Sequence, residues 1–227
     1  MLAYVPAYPG GMRVATFNVH HCEGTDRRLD VGRIAAVIAR LGADVVALQE
    51  LDDGLERSGF VDQPALLAEL TGLVVEFHPV LARDRGHYGI ALAAPAPLGS
   101  DKIDLPRLRG EEPRAAVVAR WRDVTWIGAH LSRSREARAA QIEALASLAA
   151  EVEPPVVLTG DLNERRGGLG PLFRAGLADV RRSSLRPPST RIDHVLAGRG
   201  LRVASTSTFR SAASDHAALT GDLEPSE

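Results

Sequence analysis

The stretch from 154 to 164 constrains the fold most strongly, because it combines a buried strand with polar side chains at its end. It reads Pro-Pro-Val-Val-Leu-Thr-Gly-Asp-Leu-Asn-Glu, and a short apolar run closed by a turn is typical of a buried strand. Gly160 lets the backbone turn closely, and Asp161 and Asn163 then project to the same side. A carboxylate beside an amide suits phosphate ester hydrolysis, since one can activate water and the other can donate to an oxygen that gains charge. Alone, an Asp-x-Asn sequence is more often a capped turn, so partners elsewhere must support this interpretation.

A strand, a helix and a second strand are predicted near the N terminus. The alternation over residues 12–19 predicts a strand that ends near Asn18. Asp30 is a suitable N-cap for the following helix, which has one apolar face. The apolar run 44–50 predicts the next strand, which finishes at Glu50. Such a crossover unit implies a sheet covered by helices, with functional residues at the strand ends and in the loops that follow them.

The rest of the chain continues to alternate between strands and helices. The predicted strands span residues 73–78, 88–93, 113–120, 123–130, 192–196, 201–207 and 215–223, and the predicted helices span 64–71, 134–151 and 169–175. Prolines at 95, 97 and 106 indicate loops or edge structure in that region. The arginine-rich segment 181–188 is predicted to be irregular.

Length and composition indicate a single domain over residues 1–227, with 1–11 as a loose N-terminal segment. A chain of 227 residues with 45% hydrophobic content can bury one sizeable core and is short for two domains. The 27 basic residues nearly balance the 29 acidic ones, so bulk charge indicates neither nucleic acid nor a membrane as a partner. We expect a monomer.

Cys22 is the only cysteine, which excludes an internal disulfide and a thiolate zinc cage. The N-terminal segment lacks the charged start and the continuous apolar run of a signal peptide, and no apolar stretch is long enough to span a bilayer. We therefore expect a cytoplasmic protein, although a chain whose export signal had been removed would show the same pattern.

Polar side chains recur at the predicted strand ends. They are Asn18, Glu50, His130, Asp161, Asn163, Asp193, Asp215 and His216. Each alone has an ordinary explanation as a cap, a turn residue or a buried histidine with a partner. The ends of neighbouring strands converge, however, and acids and histidines gathered there would crowd charge unless a metal or an anionic ligand balanced it.

Six segments of the chain resemble the endonuclease/exonuclease/phosphatase superfamily, whose fold is that of pancreatic deoxyribonuclease. They are Thr-Phe-Asn at 16–18, Leu-Gln-Glu at 48–50, Ala-His-Leu at 129–131, Gly-Asp-Leu-Asn at 160–163, Arg-Ile-Asp-His at 191–194 and Ser-Asp-His at 214–216. They follow the family's order and extend over nearly the whole chain. The resemblance implies the α/β (α+β) class, with a four-layered sandwich of two packed mixed β-sheets flanked by helices and a cleft where the strands end.

The resemblance also implies a metal site. Glu50 would be the chief ligand of Mg²⁺ or Mn²⁺, Asn18 would lie beside it, and Asp215 would be a further contributor. This fits the chemistry of Mg²⁺, which takes oxygen ligands, keeps several waters and often binds through one or two carboxylates plus a substrate phosphate.

By the same resemblance, Asp161 would orient or deprotonate the attacking water, and Asn163 would help to hold the phosphate or the developing charge. His216 would contact the scissile phosphate, with Asp193 accepting a hydrogen bond from its other ring nitrogen. His130 would be a second phosphate contact and could help the leaving group to depart.

The chain departs from the abasic-site endonucleases of this superfamily. Those enzymes usually carry an acid two residues after the first asparagine, where this chain has His20, and a tyrosine where it has Ala-His-Leu. The resemblance therefore favours the branches that contain deoxyribonuclease, sphingomyelinase and phosphoinositide phosphatase. Arg114 and His20 are candidate contacts to the substrate phosphate. Arg114 could equally lie on the solvent face of a strand, and His20 and His21 could be ordinary polar loop residues.

We therefore expect a divalent-metal-dependent hydrolase of phosphoric esters that uses in-line attack by an Asp-activated water. A phosphodiesterase is favoured, either a nuclease or a lipid or small-molecule phosphodiesterase, so the partner would be a phosphate ester such as nucleic acid or a phospholipid headgroup. The alternatives are a phosphomonoesterase of the phosphoinositide type and a catalytically silent member that binds phosphorylated partners. The pairing of Asp161 with Glu50 argues against the silent alternative, since a pure binding module needs no water-activating acid beside a metal ligand.

Overall fold

Two six-stranded mixed sheets pack face to face in the computed structural model, which describes residues 11–83, 85–179 and 191–226. The strands of this part of the chain are β1 (Met12–Asn18), β2 (Val45–Asp53), β3 (Val74–Arg83), β4 (Gly86–Ala94), β5 (Asp101–Asp104), β6 (Ala115–Trp121), β7 (Val124–His130), β8 (Val156–Asp161), β9 (Leu177–Ala178), β10 (Asp193–Gly198), β11 (Leu201–Phe209) and β12 (Ala218–Pro225). The helices are α1 (Val31–Leu41), α2 (Gln63–Thr71), α3 (Arg135–Glu151) and α4 (Gly170–Arg174).

The first sheet has the strand order β11-β12-β1-β2-β4-β3, and the second has the order β5-β6-β7-β8-β10-β9. Side chains from the inner faces of both sheets form a central core that includes Val14, Leu92, Trp126 and Val157. A second core lies against α1, and a third joins the second sheet to α3 and α4. Because alternate residues of a strand face opposite sides, each sheet fills two cores, and the predicted four-layered sandwich is confirmed.

Each sheet contains one pair of parallel neighbours, and these pairs position the site. β1 runs parallel to β2 with Asn18 beside Gln49, and β7 runs parallel to β8 with His130 beside Asp161. The carboxyl ends of parallel strands lie at the same edge of a sheet, and the face-to-face packing brings the two edges together. The strand, helix and strand unit predicted at the N terminus is therefore confirmed. Asp30 caps α1 by accepting a hydrogen bond from the Arg33 amide.

Gly160 is required where β8 meets β7. Gly160 has a φ of 155°, and a Cβ atom at this position would lie 1.9 Å from the carbonyl oxygen of Ala129. Any side chain there would therefore separate the two strands. Gly160 was expected to allow a close turn, but it lies inside β8, where its lack of a side chain instead lets β8 approach β7 and brings Asp161 next to the end of β7.

Three predicted strand boundaries were wrong. β3 does not end at His78 but continues to Arg83. β2 does not finish at Glu50 but continues to Asp53, because Glu50 occupies a bulge and the ladder resumes after it. The last strand begins at Ala218 rather than at Asp215, so Asp215 and His216 lie in the loop before β12. The two-residue strand β9 was missed, since so short a segment carries no periodic signal.

The other predicted elements agree with the structure to within a few residues. β5, in the region punctuated by prolines, is an edge strand, as expected. The predicted irregular segment 181–188 lies outside the described residues, as do residues 1–10 of the predicted N-terminal segment. Across the described ranges, no helix combines the length and the apolarity that crossing a bilayer demands.

Candidate active site

Glu50 enters the site from a β-bulge within β2. The pairing with β4 passes directly from Gln49 to Leu51, and Glu50 itself has a left-handed φ of 62°. A bulge redirects the side chain of its extra residue. Here it brings Glu50 to Asn18, whose Nδ2 donates to Glu50 Oε1 at 2.8 Å and to Asp161 Oδ2 at 3.0 Å. One amide group therefore joins two carboxylates that come from different sheets.

The orientation of the Asn18 side chain is determined by its other partners. Its Oδ1 accepts a hydrogen bond from the peptide N–H of His20 at 3.0 Å, so the nitrogen must be the end that faces the carboxylates. The backbone carbonyl of Asn18 accepts a hydrogen bond from Ser214 Oγ at 2.8 Å. Asn18 is only 1% exposed, and these contacts hold it as a fixed bridge.

His130 completes a three-residue cluster with the two carboxylates. Its Nε2 lies 3.9 Å from Glu50 Oε1 and 3.7 Å from Asp161 Oδ2. Ligand atoms from these three residues lie within 4.8 Å of one another, which is close enough for one metal ion to contact all of them. The two carboxylates suit a divalent cation, whereas His130 can join them as a ligand only if its Nε2 carries the lone pair rather than the ring proton.

Asp161 also belongs to a second cluster, with Asp193 and His216. His216 Nδ1 lies 3.2 Å from Asp193 Oδ2, and its Nε2 lies 3.7 Å from Asp161 Oδ2. Asp193 is placed by the antiparallel ladder between β10 and β8, where it is the direct partner of Asp161. The peptide N–H of His216 donates to Ser214 Oγ at 3.1 Å, so the same serine positions both His216 and Asn18.

The protonation of this second cluster follows from its burial and its charges. Burial raises the pKa of Asp161, and the charge of Asp193 raises it further. The charge of His216 and the hydrogen bonds from Asn18 and Asn163 lower it, and the resulting pKa is about 6. Burial alone would lower the pKa of His216, but its hydrogen bond to Asp193 and the charges of Asp193, Asp161 and Asp215 raise it to about 9. Near neutral pH the cluster therefore contains an ionised Asp161 and a protonated His216.

His130 has the opposite protonation. Burial, followed by the charges of Arg114 and His216, lowers its pKa well below the usual value, so the ring is neutral. Its Nδ1 lies 3.3 Å from the hydroxyl of Tyr88, which in turn accepts a hydrogen bond from Arg114 Nη1 at 3.4 Å. Burial raises the pKa of Tyr88, so the phenol keeps its proton. Because Arg114 donates to the Tyr88 oxygen, the Tyr88 hydroxyl directs its own proton to His130 Nδ1. The ring proton of His130 therefore lies on Nε2, the nitrogen that faces the carboxylates.

Three other predicted residues lie around this centre. The peptide N–H of Asn163 donates to Asp161 Oδ1 at 2.9 Å, while its side chain donates to the carbonyl of Leu131 at 3.0 Å. The carboxylate of Asp215 is 57% exposed, and its Oδ1 lies 3.9 Å from Nδ1 of His20. Asn163 therefore contacts the centre through its backbone, and Asp215 and His20 face each other beside it.

The sequence model of the Endonuclease/Exonuclease/phosphatase family matches residues 15–216, a span that includes every predicted site residue. The chain belongs to the endonuclease/exonuclease/phosphatase family. Members of this family hydrolyse phosphoric esters, and the two clusters around Asp161 lie where the family's six segments converge. No curated protein matches the chain at a significant level.

Solved structures of family members share this fold. An endonuclease/exonuclease/phosphatase from Beutenbergia cavernae is 24% identical, with a TM-score of 0.78, and the match covers 96% of this chain and 72% of that one. D. rerio TDP2 complexed with a single-strand DNA product is 15% identical, with a TM-score of 0.71 and coverage of 94% and 99%. The 3′ phosphatase NExo from Neisseria, bound to a product DNA hairpin, is 18% identical, with a TM-score of 0.64 and coverage of 92% and 98%.

Tyr88 and Ser214 were missed as site residues by the sequence analysis. Tyr88 lies within β4, and a tyrosine in an apolar strand is typical of a core position. Ser214 precedes Asp215 and His216 in the motif Ser-Asp-His, which was a signal that could have identified it. Its hydroxyl links two site residues that are far apart in the chain.

Proposed function

We propose that the chain is a divalent-metal-dependent hydrolase of phosphoric esters, and more specifically a phosphodiesterase. The observation that carries this proposal is the meeting of Glu50, Asp161 and His216 at one site. Glu50 is joined to Asp161 through Asn18, and Asp161 lies 3.7 Å from His216. A metal-binding carboxylate, a candidate base and a cationic hydrogen-bond donor are the groups that attack by water on phosphorus requires.

Glu50 would be the chief ligand of the cation, which we propose to be Mg²⁺ or Mn²⁺. Carboxylate oxygens are the ligands that these hard cations prefer, and the side chain of Glu50 is 24% exposed, so water and substrate can complete the coordination. When bound, the cation would supply positive charge against the phosphate oxygens. Asn18 would act beside the metal by holding the two carboxylates at a fixed separation, and Asp215 would be an outer contributor at the rim.

Asp161 would orient or deprotonate the attacking water. Its pKa of about 6 makes it ionised at neutral pH yet basic enough to accept a proton. Hydrogen bonds from Asn18 to one carboxylate oxygen and from the Asn163 amide to the other fix the orientation of the group. Asn163 would then assist by placing the base, in addition to the contact with phosphate expected of its side chain.

His216 and His130 would bind the scissile phosphate from two sides. Protonated His216, oriented by Asp193, would donate from Nε2 to an oxygen that gains negative charge. Neutral His130, with its proton on Nε2, would donate a second hydrogen bond and could assist departure of the leaving group. Arg114 would act on the phosphate at longer range, since its guanidinium contacts Tyr88 and Glu112 in this structure.

The charge of the site favours a diester over a monoester. Three carboxylates, those of Glu50, Asp161 and Asp193, belong to the two clusters, and protonated His216 together with a divalent cation would balance three carboxylate charges without a large excess. A phosphodiester has one negative charge, whereas a phosphomonoester carries about two. A site without surplus positive charge therefore suits the diester better.

Hydrolysis of bis-p-nitrophenyl phosphate, with p-nitrophenyl phosphate as the monoester comparison, tests the proposal. We expect turnover of the diester that depends on added Mg²⁺ or Mn²⁺, with Asp161→Ala as the blank. Faster turnover of the monoester would favour a phosphomonoesterase, and no metal-stimulated turnover of either would favour a phosphate-binding protein. A parallel screen of DNA, RNA, phospholipids and phosphoinositides would then identify the substrate class.

A further inference from the structure

A left-handed turn after β1 carries two adjacent histidines that the hydrolytic mechanism does not use. His20, His21 and Cys22 have φ values of 48°, 41° and 62°. Three consecutive residues other than glycine rarely adopt this conformation, because it places each Cβ atom too close to the following carbonyl oxygen. The turn brings the two imidazole rings together, with their centroids 4.4 Å apart.

The turn is anchored by a buried side chain from α2. Gln63 is 1% exposed, and its Nε2 donates to the carbonyl of His21 at 2.6 Å while its Oε1 accepts from the peptide N–H of Asp52 at 2.9 Å. Both ends of the amide are therefore engaged, and the turn is held against β2 as a defined structure. Such anchoring distinguishes it from an ordinary polar loop.

His20 is oriented as metal-binding histidines usually are. Its Nδ1 lies 3.1 Å from the carbonyl oxygen of Glu23. A carbonyl oxygen can only accept, so Nδ1 must be the donor, and in the neutral ring the lone pair is then on Nε2. A backbone carbonyl that fixes the tautomer and the ring direction in this way is the usual outer partner of a histidine ligand.

His21 and Glu23 complete a group of three potential ligands. His21 Nε2 lies 3.8 Å from Glu23 Oε2, too far for a hydrogen bond. One ligand atom from each of His20, His21 and Glu23 lies within 4.8 Å of the others. Ligands on a single tetrahedral cation with bonds of about 2.0–2.1 Å are roughly 3.4 Å apart, so a small contraction would let all three bind the same ion.

We propose that His20, His21 and Glu23 form a second cation site, separate from the one at Glu50. Two imidazoles and one carboxylate select a transition-metal cation such as Zn²⁺ rather than Mg²⁺, which prefers oxygen ligands. The side chains of His20 and Glu23 are both 33% exposed, so an ion can enter from solvent. With three protein ligands, a fourth position is open to water or a substrate oxygen.

The location of this site connects it to the candidate active site. The peptide N–H of His20 donates to Asn18 Oδ1, and His20 Nδ1 lies 3.9 Å from Asp215. A cation held here would place positive charge beside the candidate active site, where an extended substrate would present its next phosphate. The expected contact of His20 with phosphate would then be made through the ion. The binding itself does not depend on the proposed hydrolytic function.

Binding of Zn²⁺ by the full chain tests this proposal. Metal-free protein in excess Mg²⁺ would be titrated with Zn²⁺ and analysed by equilibrium dialysis, and Co²⁺ would report imidazole ligands through its visible absorption. We expect His21→Ala and Glu23→Gln each to remove one bound equivalent or to weaken its apparent affinity by at least about 10-fold. His87→Ala, which changes an exposed histidine beside Asp53, is the matched control and should bind as the wild type does.

Two further variants separate this site from the hydrolytic one. Glu50→Gln should lose metal-stimulated hydrolysis but keep the Zn²⁺ equivalent that His21→Ala loses. If circular dichroism shows that His21→Ala does not fold, the Zn²⁺ titration of Glu23→Gln provides the same test. Equal Zn²⁺ stoichiometry and affinity in the wild type, His21→Ala and Glu23→Gln would overturn the proposal, and so would an equal loss in His87→Ala.

Discussion

Two histidines each lie 3.7 Å from the same carboxylate oxygen of Asp161, and their surroundings drive protonation in opposite directions. On the side of β4 and β7, His130 is 3% exposed and borders Tyr88 and Arg114. On the side of β10 and the loop before β12, His216 lies between Asp193 and Asp161. The pKa of His130 falls well below the usual value, whereas the pKa of His216 rises to about 9.

The difference shows that burial alone does not decide the protonation of an imidazole. Burial lowers the pKa of both rings, but His216 is also hydrogen-bonded to Asp193, and this bond together with the charges of Asp193, Asp161 and Asp215 reverses the effect. One family fold thus provides a neutral donor on one side of Asp161 and a cationic donor on the other. The predictions below change the members of this pair and their partners, beginning with the most severe.

Removal of the shared acid or of the cationic histidine should have the largest effect. Asp161→Ala and His216→Ala should each lower kcat for the diester by about 10² to 10⁴-fold, since the first removes the base and the second removes a charged donor to phosphate. Circular dichroism should show an unchanged fold. Asp104→Ala, on an exposed edge-strand residue, is the control and should retain activity. Near-normal turnover in both site variants would remove the mechanism.

Loss of the chief metal ligand should appear first as a changed metal requirement. Glu50→Ala should raise the Mg²⁺ concentration for half-maximal activity by about 10-fold or more, because one anionic oxygen ligand is lost. Turnover measured across a Mg²⁺ titration gives this value. A reduced rate at unchanged Mg²⁺ dependence would show that Glu50 acts on the substrate instead.

Asp193→Asn should make the His216 side resemble the His130 side. Loss of this charge lowers the pKa of His216 and that of Asp161, since Asp193 raises both. We expect kcat/KM to fall by about 10 to 100-fold and both limbs of its pH profile to move to lower pH. A change in rate with unmoved limbs would mean that Asp193 only positions the ring.

The wild-type pH profile should be bell-shaped. An ionised Asp161 and a protonated His216 are both present between about pH 6 and pH 9, so kcat/KM should fall as the pH drops through the pKa of Asp161 and as it rises through that of His216. His130 should add no limb in this range, because it is already neutral. A limb that disappears in a His130 variant would contradict this assignment.

Tyr88→Phe should have the smallest effect. It removes the hydroxyl that orients His130, but burial still keeps the ring neutral. We expect a decrease in kcat of about 10-fold or less with the limbs of the pH profile unchanged. A shift of the acid limb would show that Tyr88 controls charge in the cleft as well as orientation.

The sequence by itself determined the elements and the family. The helix cap at Asp30 and the apolar runs of the strands are local patterns, and local patterns are encoded by neighbouring residues. The six family segments likewise lie within continuous stretches, so most residues of the candidate site could be predicted from the sequence, whereas Tyr88 and Ser214 could not. That Glu50, Asp161 and His216 would meet was an expectation of the resemblance, and the structure brings them together.

Only the tertiary structure decided how these residues are used. The bulge at Glu50 depends on pairing with β4, and the bridge made by Asn18 joins residues from two sheets. The opposite protonation of His130 and His216 follows from desolvation and from charges distant in sequence. Neither effect can be predicted from the periodicity of the sequence. The physical reason is that secondary structure arises from interactions between near neighbours, whereas electrostatics in a buried cleft depends on every group the fold brings there.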